Sequence, residues 1–180
     1  MSWADKYPEQ RLVSYDDSWA TLYGEYEAHL KACLGRRWEF EHVGSTSVPG
    51  LLAKPVIDIA MRMPAERCLS EATRRLLHAD WSGLVQVGDH WATVFPAKGV
   101  RSAIGHVFTA GQWPEAHLRL FADWLRRHEA DRDRYASLKR GLVERGVWSA
   151  EYTGSKATFV LWVVNQARAE LELSAASGPL

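Results

Sequence analysis

The stretch Glu41-His-Val-Gly44-Ser45-Thr46-Ser47-Val-Pro-Gly50-Leu-Leu-Ala-Lys54-Pro-Val-Ile-Asp58-Ile-Ala60 decides the fold. Just before and into it, Trp38 to Val43 alternates, with Trp38, Phe40 and His42 on one face and Glu39, Glu41 and Val43 on the other, the period of a strand. Two carboxylates on one strand face repel when buried, so the Glu39/Glu41 face is expected to be solvated. Gly44 to Lys54 is turn-rich, and Pro49-Gly50 supplies the fixed φ and the tolerated positive φ of a type II turn. Val56 to Met63 then reads as a strongly apolar strand. Asp58 stands inside it, where a carboxylate is costly unless paired or bound to a cation. An ion pair with Arg62 on the same strand is one answer. The other is chemistry: a Gly-Ser turn lets backbone N–H groups and a hydroxyl approach phosphates closely, while a carboxylate on the next strand holds a Mg²⁺ that bridges them.

Upstream, Trp19, Leu22, Tyr23, Tyr26, Leu30, Cys33 and Leu34 recur at helical spacing after Asp17 and Ser18, either of which suits an N-cap, and Gly35 ends the run. Downstream, Pro64 is placed in the first turn of a second helix that carries Leu69, Ala72, Leu76 and Leu77 toward Trp81. Strands are expected at Leu84 to Val87, Trp91 to Phe95 and Ile104 to Thr109, as antiparallel neighbours joined by short loops. The rest is helical. Trp113-Pro114 opens a helix with Leu118, Phe121, Leu125 and His128 on one face, Tyr135, Leu138 and Leu142 mark another, and a last one begins near Ser149 with Tyr152, Phe159, Val160 and Val163. The tail from Ser174 is expected to fray.

Lys plus Arg and Asp plus Glu number 22 each, so no net field draws the protein to a polyanion, and a nucleic-acid partner is disfavoured. Cys33 and Cys68 fall on the expected helices without metal spacing, which reads as buried, reduced thiols. Met1 to Lys6 shows no basic segment followed by an apolar one, and no stretch approaches the length of a membrane span. A cytoplasmic protein without a membrane partner is expected, as a monomer or homodimer. The Trp and Arg residues of Leu118 to Arg127 suit an interface.

The quoted stretch resembles the signature of the GrpB, or UPF0157, family. Val13-Ser-Tyr-Asp-Asp-Ser-Trp19, Gly105-His106-Val107, Phe121-Ala-Asp-Trp-Leu-Arg126, Tyr135-Ala-Ser-Leu-Lys139 and Tyr152-Thr-Gly-Ser-Lys156 extend the resemblance over nearly the whole chain, although Ser14 stands where proline is usual. It implies one domain over residues 1–180 with a nucleotidyltransferase-like α+β fold: a small mixed β-sheet flanked by helices, with a helical C-terminal part. It further implies use of Mg²⁺ and ATP or another NTP to activate a small-molecule acceptor, by nucleotidyl transfer or adenylate-dependent ligation. Such domains also occur fused to dephospho-CoA kinase, which keeps open a degenerate domain acting as a ligand-binding or protein-interaction module.

Residue by residue, Gly44, Ser45, Thr46 and Ser47 would meet the nucleotide, and Asp58 would be a metal ligand and catalytic residue. Glu41 is a second ligand or a solvated strand carboxylate. His106 is a general base or substrate contact, since histidine titrates near neutral pH, or else a core histidine. His42 and Tyr152 are candidate substrate contacts. Lys54, Lys139 and Lys156 would supply positive charge to phosphates. The last two share the apolar stripes of their helices with Tyr135, Leu142, Tyr152 and Phe159, so they either point into a polar cleft or lay their stems on the core with the ammonium in water. Two positions depart from the pattern: Ala60 replaces the second acid of the Asp-x-Asp or Asp-x-Glu usual in nucleotidyltransferases, and Ala122 stands where arginine is expected.

Overall fold

The computed structural model describes residues 12–177. The reading of the N-terminus from Met1 to Lys6, and the last three residues of the tail, lie outside them. The elements are α1 (Ser18–Leu34), β1 (Glu39–Val43), a 3-10 turn (Ser45–Ser47), β2 (Ile57–Arg62), α2 (Leu69–His78), β3 (Val85–Val87), β4 (His90–Phe95), β5 (Ala103–Phe108), a second 3-10 turn (Trp113–Glu115), α3 (His117–Arg127), α4 (Glu129–Glu144), α5 (Ser149–Gly154) and α6 (Ala157–Glu170). The strands form one five-stranded sheet in the order β1-β2-β5-β4-β3. β2 and β5 run parallel and the other three pairs antiparallel, so the sheet is mixed. A parallel pair needs a long crossover, which α2 and the β3–β4 hairpin provide.

Strand alternation sorts the residues between two faces. Ile57, Ile59 and Met61 of β2 point to the side covered by α1 and α2, in a core with Trp19, Leu30, Leu34, Leu76 and Trp81. Asp58 and Ala60 point the other way, toward the C-terminal helices. There Leu120, Phe121, Trp124 and Leu125 of α3, Tyr135 of α4 and Val163 and Val164 of α6 make a second core that also takes in Val48 and Leu51 of the β1–β2 connection. Phe121, Ala122, Trp124 and Leu125 are thus buried structure, so the tryptophan expected at an interface packs inside the molecule, while Arg126 and Arg127 stay exposed.

Several local expectations are corrected. α2 starts at Leu69 with Cys68 at its N-cap, so Pro64 precedes it. Cys33 is half-buried and Cys68 exposed, not both buried. Asp17 holds the N-cap position of α1 without a side-chain cap, and Asp16 Oδ1 instead accepts from the Ser18 N–H at 2.8 Å. The Glu39/Glu41 face is not simply solvated: Arg62 pairs with Glu39, and Arg119 Nε lies 2.6 Å from Glu41 Oε2. The tail is pinned, because Ala176 N donates to Asn165 Oδ1 (2.8 Å) and Arg168 Nε to the Ser174 carbonyl (2.6 Å). The type II turn is as expected: Gly50 has φ +79° and Leu51 N closes onto the Val48 carbonyl at 3.1 Å. No helix among the described residues is long and apolar enough to cross a membrane.

Candidate functional site

Gly44 leaves β1 at φ 69°, ψ −172°, a backbone region essentially confined to glycine. A Cβ there would lie 2.3 Å from Oδ2 of Asp58 and 2.8 Å from its Cγ. Glycine and acid therefore form one unit, with the loop backbone lying on the carboxylate. The turn after it is braced from within: Ser47 Oγ donates to the Gly44 carbonyl (2.8 Å), and Thr46 Oγ1 reaches the Val56 carbonyl (3.4 Å) and His42 Nε2 (3.0 Å). It is also braced from the helices. Arg126 of α3 donates from Nε to the Ser47 carbonyl (3.0 Å) and from Nη2 to the His42 carbonyl (2.7 Å), while Lys139 of α4 donates to Ser45 Oγ (3.0 Å) and to the Leu52 carbonyl.

Between this loop, the Asp58 face of the sheet and the C-terminal helices lies a cavity of about 680 Å³. Gly44, Ser45, Thr46, Lys54, Asp58 and His106 line its sheet side. Lys139, Tyr152 and Lys156 line the helical side, together with Tyr135 and Phe121. Lys156 is not inside one continuous helix as its spacing implied; it caps the start of α6 in the break after α5, and that break turns it inward.

Three ammonium groups thus converge on a cavity that holds one carboxylate. Burial pushes Lys139 down to about 6, with Lys156 and Arg140 adding repulsion. Burial and then the Lys54 charge bring Lys156 to about 8, and burial followed by Arg101 lowers Lys54. Aromatic faces offset part of the cost: the Tyr152 ring centroid lies 4.4 Å from Lys54 Nζ and 4.2 Å from Lys156 Nζ, and Tyr135 lies 4.7 Å from Lys139 Nζ. Burial raises the Tyr135 and Tyr152 phenols, which stay protonated and able to donate.

Asp58 is not paired with Arg62, which Glu39 engages. Its Oδ1 lies 3.3 Å from His106 Nε2, and His106 Nδ1 lies 3.1 Å from His90 Nε2. With both ring nitrogens engaged, His106 is built to hold Asp58 in position. Glu41, His42 and Ser47 are not on the cavity wall. Glu41 is held by Arg119; His42 lies on the opposite sheet face, stacked on Tyr23 at 4.9 Å; Ser47 is turned onto Gly44. Burial, opposed by the Asp58 charge and aided by Arg126, brings His42 to about 4, so it is a neutral brace. Ala60 and Ala122, the two departures, meet in one buried apolar cluster with Val43, Phe108 and Ala116. The second acid and the arginine are thus missing from the same spot, which is packed with hydrocarbon instead. Sequence reasoning missed His90 and His117. Each is a lone histidine about which spacing says nothing, because sheet register places His90 and the docking of α3 brings His117 to it.

A mixed sheet with a Gly-Ser turn set against a strand acid, roofed by helices, is a nucleotidyltransferase-like fold. The fold agrees with that of the GLD-2/RNP-8 complex, where a nucleotidyltransferase-type chain superposes with a TM-score of 0.55 at 13% identity, over 87% of this chain and 61% of the other. The model of the GrpB protein family matches residues 9–166, and the chain belongs to that family. It is 32% identical to a UPF0157 protein of Halalkalibacterium halodurans over 88% of this chain and 82% of the relative. With the glutamate-rich protein GrpB of Alkalihalophilus pseudofirmus it shares 27% identity over 86% and 94%. The crystal structure of the conserved protein GrpB from Enterococcus faecalis superposes with a TM-score of 0.77 at 22% identity, covering 90% of this chain and 99% of that one.

Proposed function

We propose that this protein binds ATP or another nucleoside triphosphate with Mg²⁺ and uses it to activate a small-molecule acceptor, by nucleotidyl transfer or adenylate-dependent ligation. The observation that carries the reading is the convergence of Lys54, Lys139 and Lys156 on the cavity beside Asp58. Mutually repelling, partly desolvated ammonium groups favour a polyanion, and a triphosphate restores their charge. The volume also suits a nucleotide-sized ligand.

Mg²⁺ is commonly held by one or two carboxylates together with substrate phosphates, so Asp58 and the phosphates form an adequate donor set even with Glu41 bound to Arg119. When bound, the ion would neutralise charge along the phosphates. The chain's own part is to fix geometry: the Gly44 turn lies against the carboxylate, His106 orients Asp58, and Tyr135 and Tyr152 hold the lysines inward.

Titration calorimetry with ATP and MgCl₂ tests this. Saturable binding is expected in the native chain and a loss of roughly 10–100-fold in Asp58→Asn, the scale seen when one metal-site group is removed. The absence of binding to the native chain would sink the reading. One observation favours a second reading, a ligand-binding module without turnover: Ala60 leaves a single acid facing the cavity. Saturable nucleotide binding without pyrophosphate release across a panel of metabolite acceptors would decide for it.

A further inference from the structure

Beyond His106 the cavity wall continues into a cluster that the nucleotide reading does not use. Gly88, at φ +58°, turns the β3–β4 hairpin and delivers Asp89 and His90, and Gln112 fixes the corner by donating to the Asp89 carbonyl. His117, the first residue of α3, comes down beside them. His90 Nδ1 is 3.1 Å from Asp89 Oδ1, His117 Nδ1 is 3.8 Å from that oxygen, and one ligand atom from each of the three residues lies within 4.8 Å of the other two. Tetrahedral bonds of ~2.0–2.1 Å space ligand atoms roughly 3.3 Å apart, so the two shorter separations bracket what a zinc-like ion requires.

The hydrogen-bond chain from Asp58 runs through His106 to His90. Asp58 Oδ1, as a carboxylate oxygen, only accepts, so His106 Nε2 at 3.3 Å donates to it. With the His106 ring proton on Nε2, its Nδ1 is the acceptor for His90 Nε2, 3.1 Å away. That leaves His90 Nδ1 as a lone pair facing a carboxylate oxygen at 3.1 Å. Two acceptors at that distance repel unless a cation or an added proton joins them. His117 adds a second unmet atom: the residue is 6% exposed, and its buried Nδ1 has no hydrogen-bond partner among the described residues, although it lies 3.8 Å from the same oxygen. One extra proton on His90 would mend a single contact and charge a ring only 3% exposed, beside two more imidazoles. A single cation satisfies all three atoms.

We propose that Asp89 Oδ1, His90 Nδ1 and His117 Nδ1 hold a divalent transition-metal ion of the Zn²⁺ class, with the fourth coordination position left to water or a ligand group. Two imidazoles with one carboxylate select Zn²⁺, Co²⁺ or Ni²⁺ over Mg²⁺. The Asp58–His106 pair supplies the outer support: a carboxylate orients one imidazole, which orients the ligating one. His117 lines the nucleotide-sized cavity, so the ion would sit in its wall. The site stands without the nucleotide reading, and either can fail alone.

The test is calorimetric titration of the chelator-stripped full chain with ZnCl₂, in parallel with CoCl₂ followed by visible absorption. One equivalent should bind, and bound Co²⁺ should show the d–d bands of a four-coordinate nitrogen/oxygen site. Asp89→Asn, an exposed and fold-neutral change, and His117→Gln should each weaken binding at least about 100-fold, and His106→Asn roughly 10–100-fold through the outer shell. The proposal is overturned if the native chain binds no Zn²⁺ saturably. It is equally overturned if Asp89→Asn, with native circular dichroism, binds as tightly as the native chain, or if nitrogen-15 histidine spectra at saturating Zn²⁺ show His90 as an imidazolium.

Discussion

Replacing Gly44 by alanine asks the most of the site, because one methyl meets two independent obstacles. At φ 69°, ψ −172° an L side chain is strained, at about 1–3 kcal/mol. The added Cβ would also lie 2.3 Å from Oδ2 and 2.8 Å from both Cβ and Cγ of Asp58. These atoms sit close to the backbone of a central strand and cannot swing aside like the tip of a long chain. Overpacking of that kind adds about 1–3 kcal/mol. Gly44→Ala is therefore expected to lower the unfolding free energy by about 2–6 kcal/mol, read as a shift in urea midpoint at unchanged slope.

The two parts separate in a double-mutant cycle. Asp58→Gly removes every atom the new methyl would strike while leaving the backbone strain, so Gly44→Ala should cost about 1–3 kcal/mol less in that background. If the cost is the same in both backgrounds, glycine and acid are not one unit. A cost below about 1 kcal/mol in the native background would refute the strain as well.

Arg126→Ala removes two charge-assisted bonds to the His42 and Ser47 carbonyls; with the arginine exposed, about 1–2 kcal/mol and a fall of roughly 2–8 °C in Tm are expected by calorimetry. Gly105→Ala puts a Cβ 2.5 Å from Met61 Sδ and 3.0 Å from Thr93 Cγ2; the thioether can yield, so the loss, about 1–3 kcal/mol by urea unfolding, should be smaller than at Gly44. Lys139 and Lys156, at about 6 and about 8, have folded values below their ordinary 10.5. The unfolded chain then binds more protons between those values, stability rises with pH across about 6 to 10.5, and Lys139→Met should flatten the rise in pH-dependent denaturation. For the same reason a bound triphosphate should take up protons at pH ~8, seen as binding heats that differ between buffers of unlike ionisation enthalpy; equal heats would count against a lysine-held anion.

What was legible in the sequence is what local rules govern. The β1 alternation, the Pro49-Gly50 turn, the strand carrying Asp58 and the periodicities of α1, α3 and α4 are each set by neighbours within a few residues. Strand alternation even separated Glu41 from His42 correctly. It could not say which face would carry the cavity, because that depends on where α3 to α6 dock. His42 therefore looked like a contact residue and proved to be a brace under Tyr23. Lys156 shows the opposite case. Its apolar spacing predicted a continuous helix, yet a break between Gly154 and Ala157 is what aims the lysine inward.

The histidines mark the limit most clearly. In β2 and β5, Ala60 pairs with His106, and in β4 and β5, Ala92 pairs with the same His106. Asp58 and His90 each lie two residues from those partners along their strands, and two residues is the period that keeps a side chain on one face. The line Asp58–His106–His90–Asp89 therefore steps diagonally across three strands, from the Gly44 loop to the β3–β4 hairpin. Shifting either register by one residue would turn a histidine to the α1 and α2 side and break it. The registers are fixed by apolar packing on the far face: Ile59 and Met61 of β2 set against Gly105 and Val107 of β5. Gly105 is required there because Met61 occupies the space its side chain would take. A residue that touches no functional group thus aligns the polar line on the other side of the sheet, and Gly105→Ala should disturb Asp58 and the Asp89 cluster together even where stability is only modestly reduced.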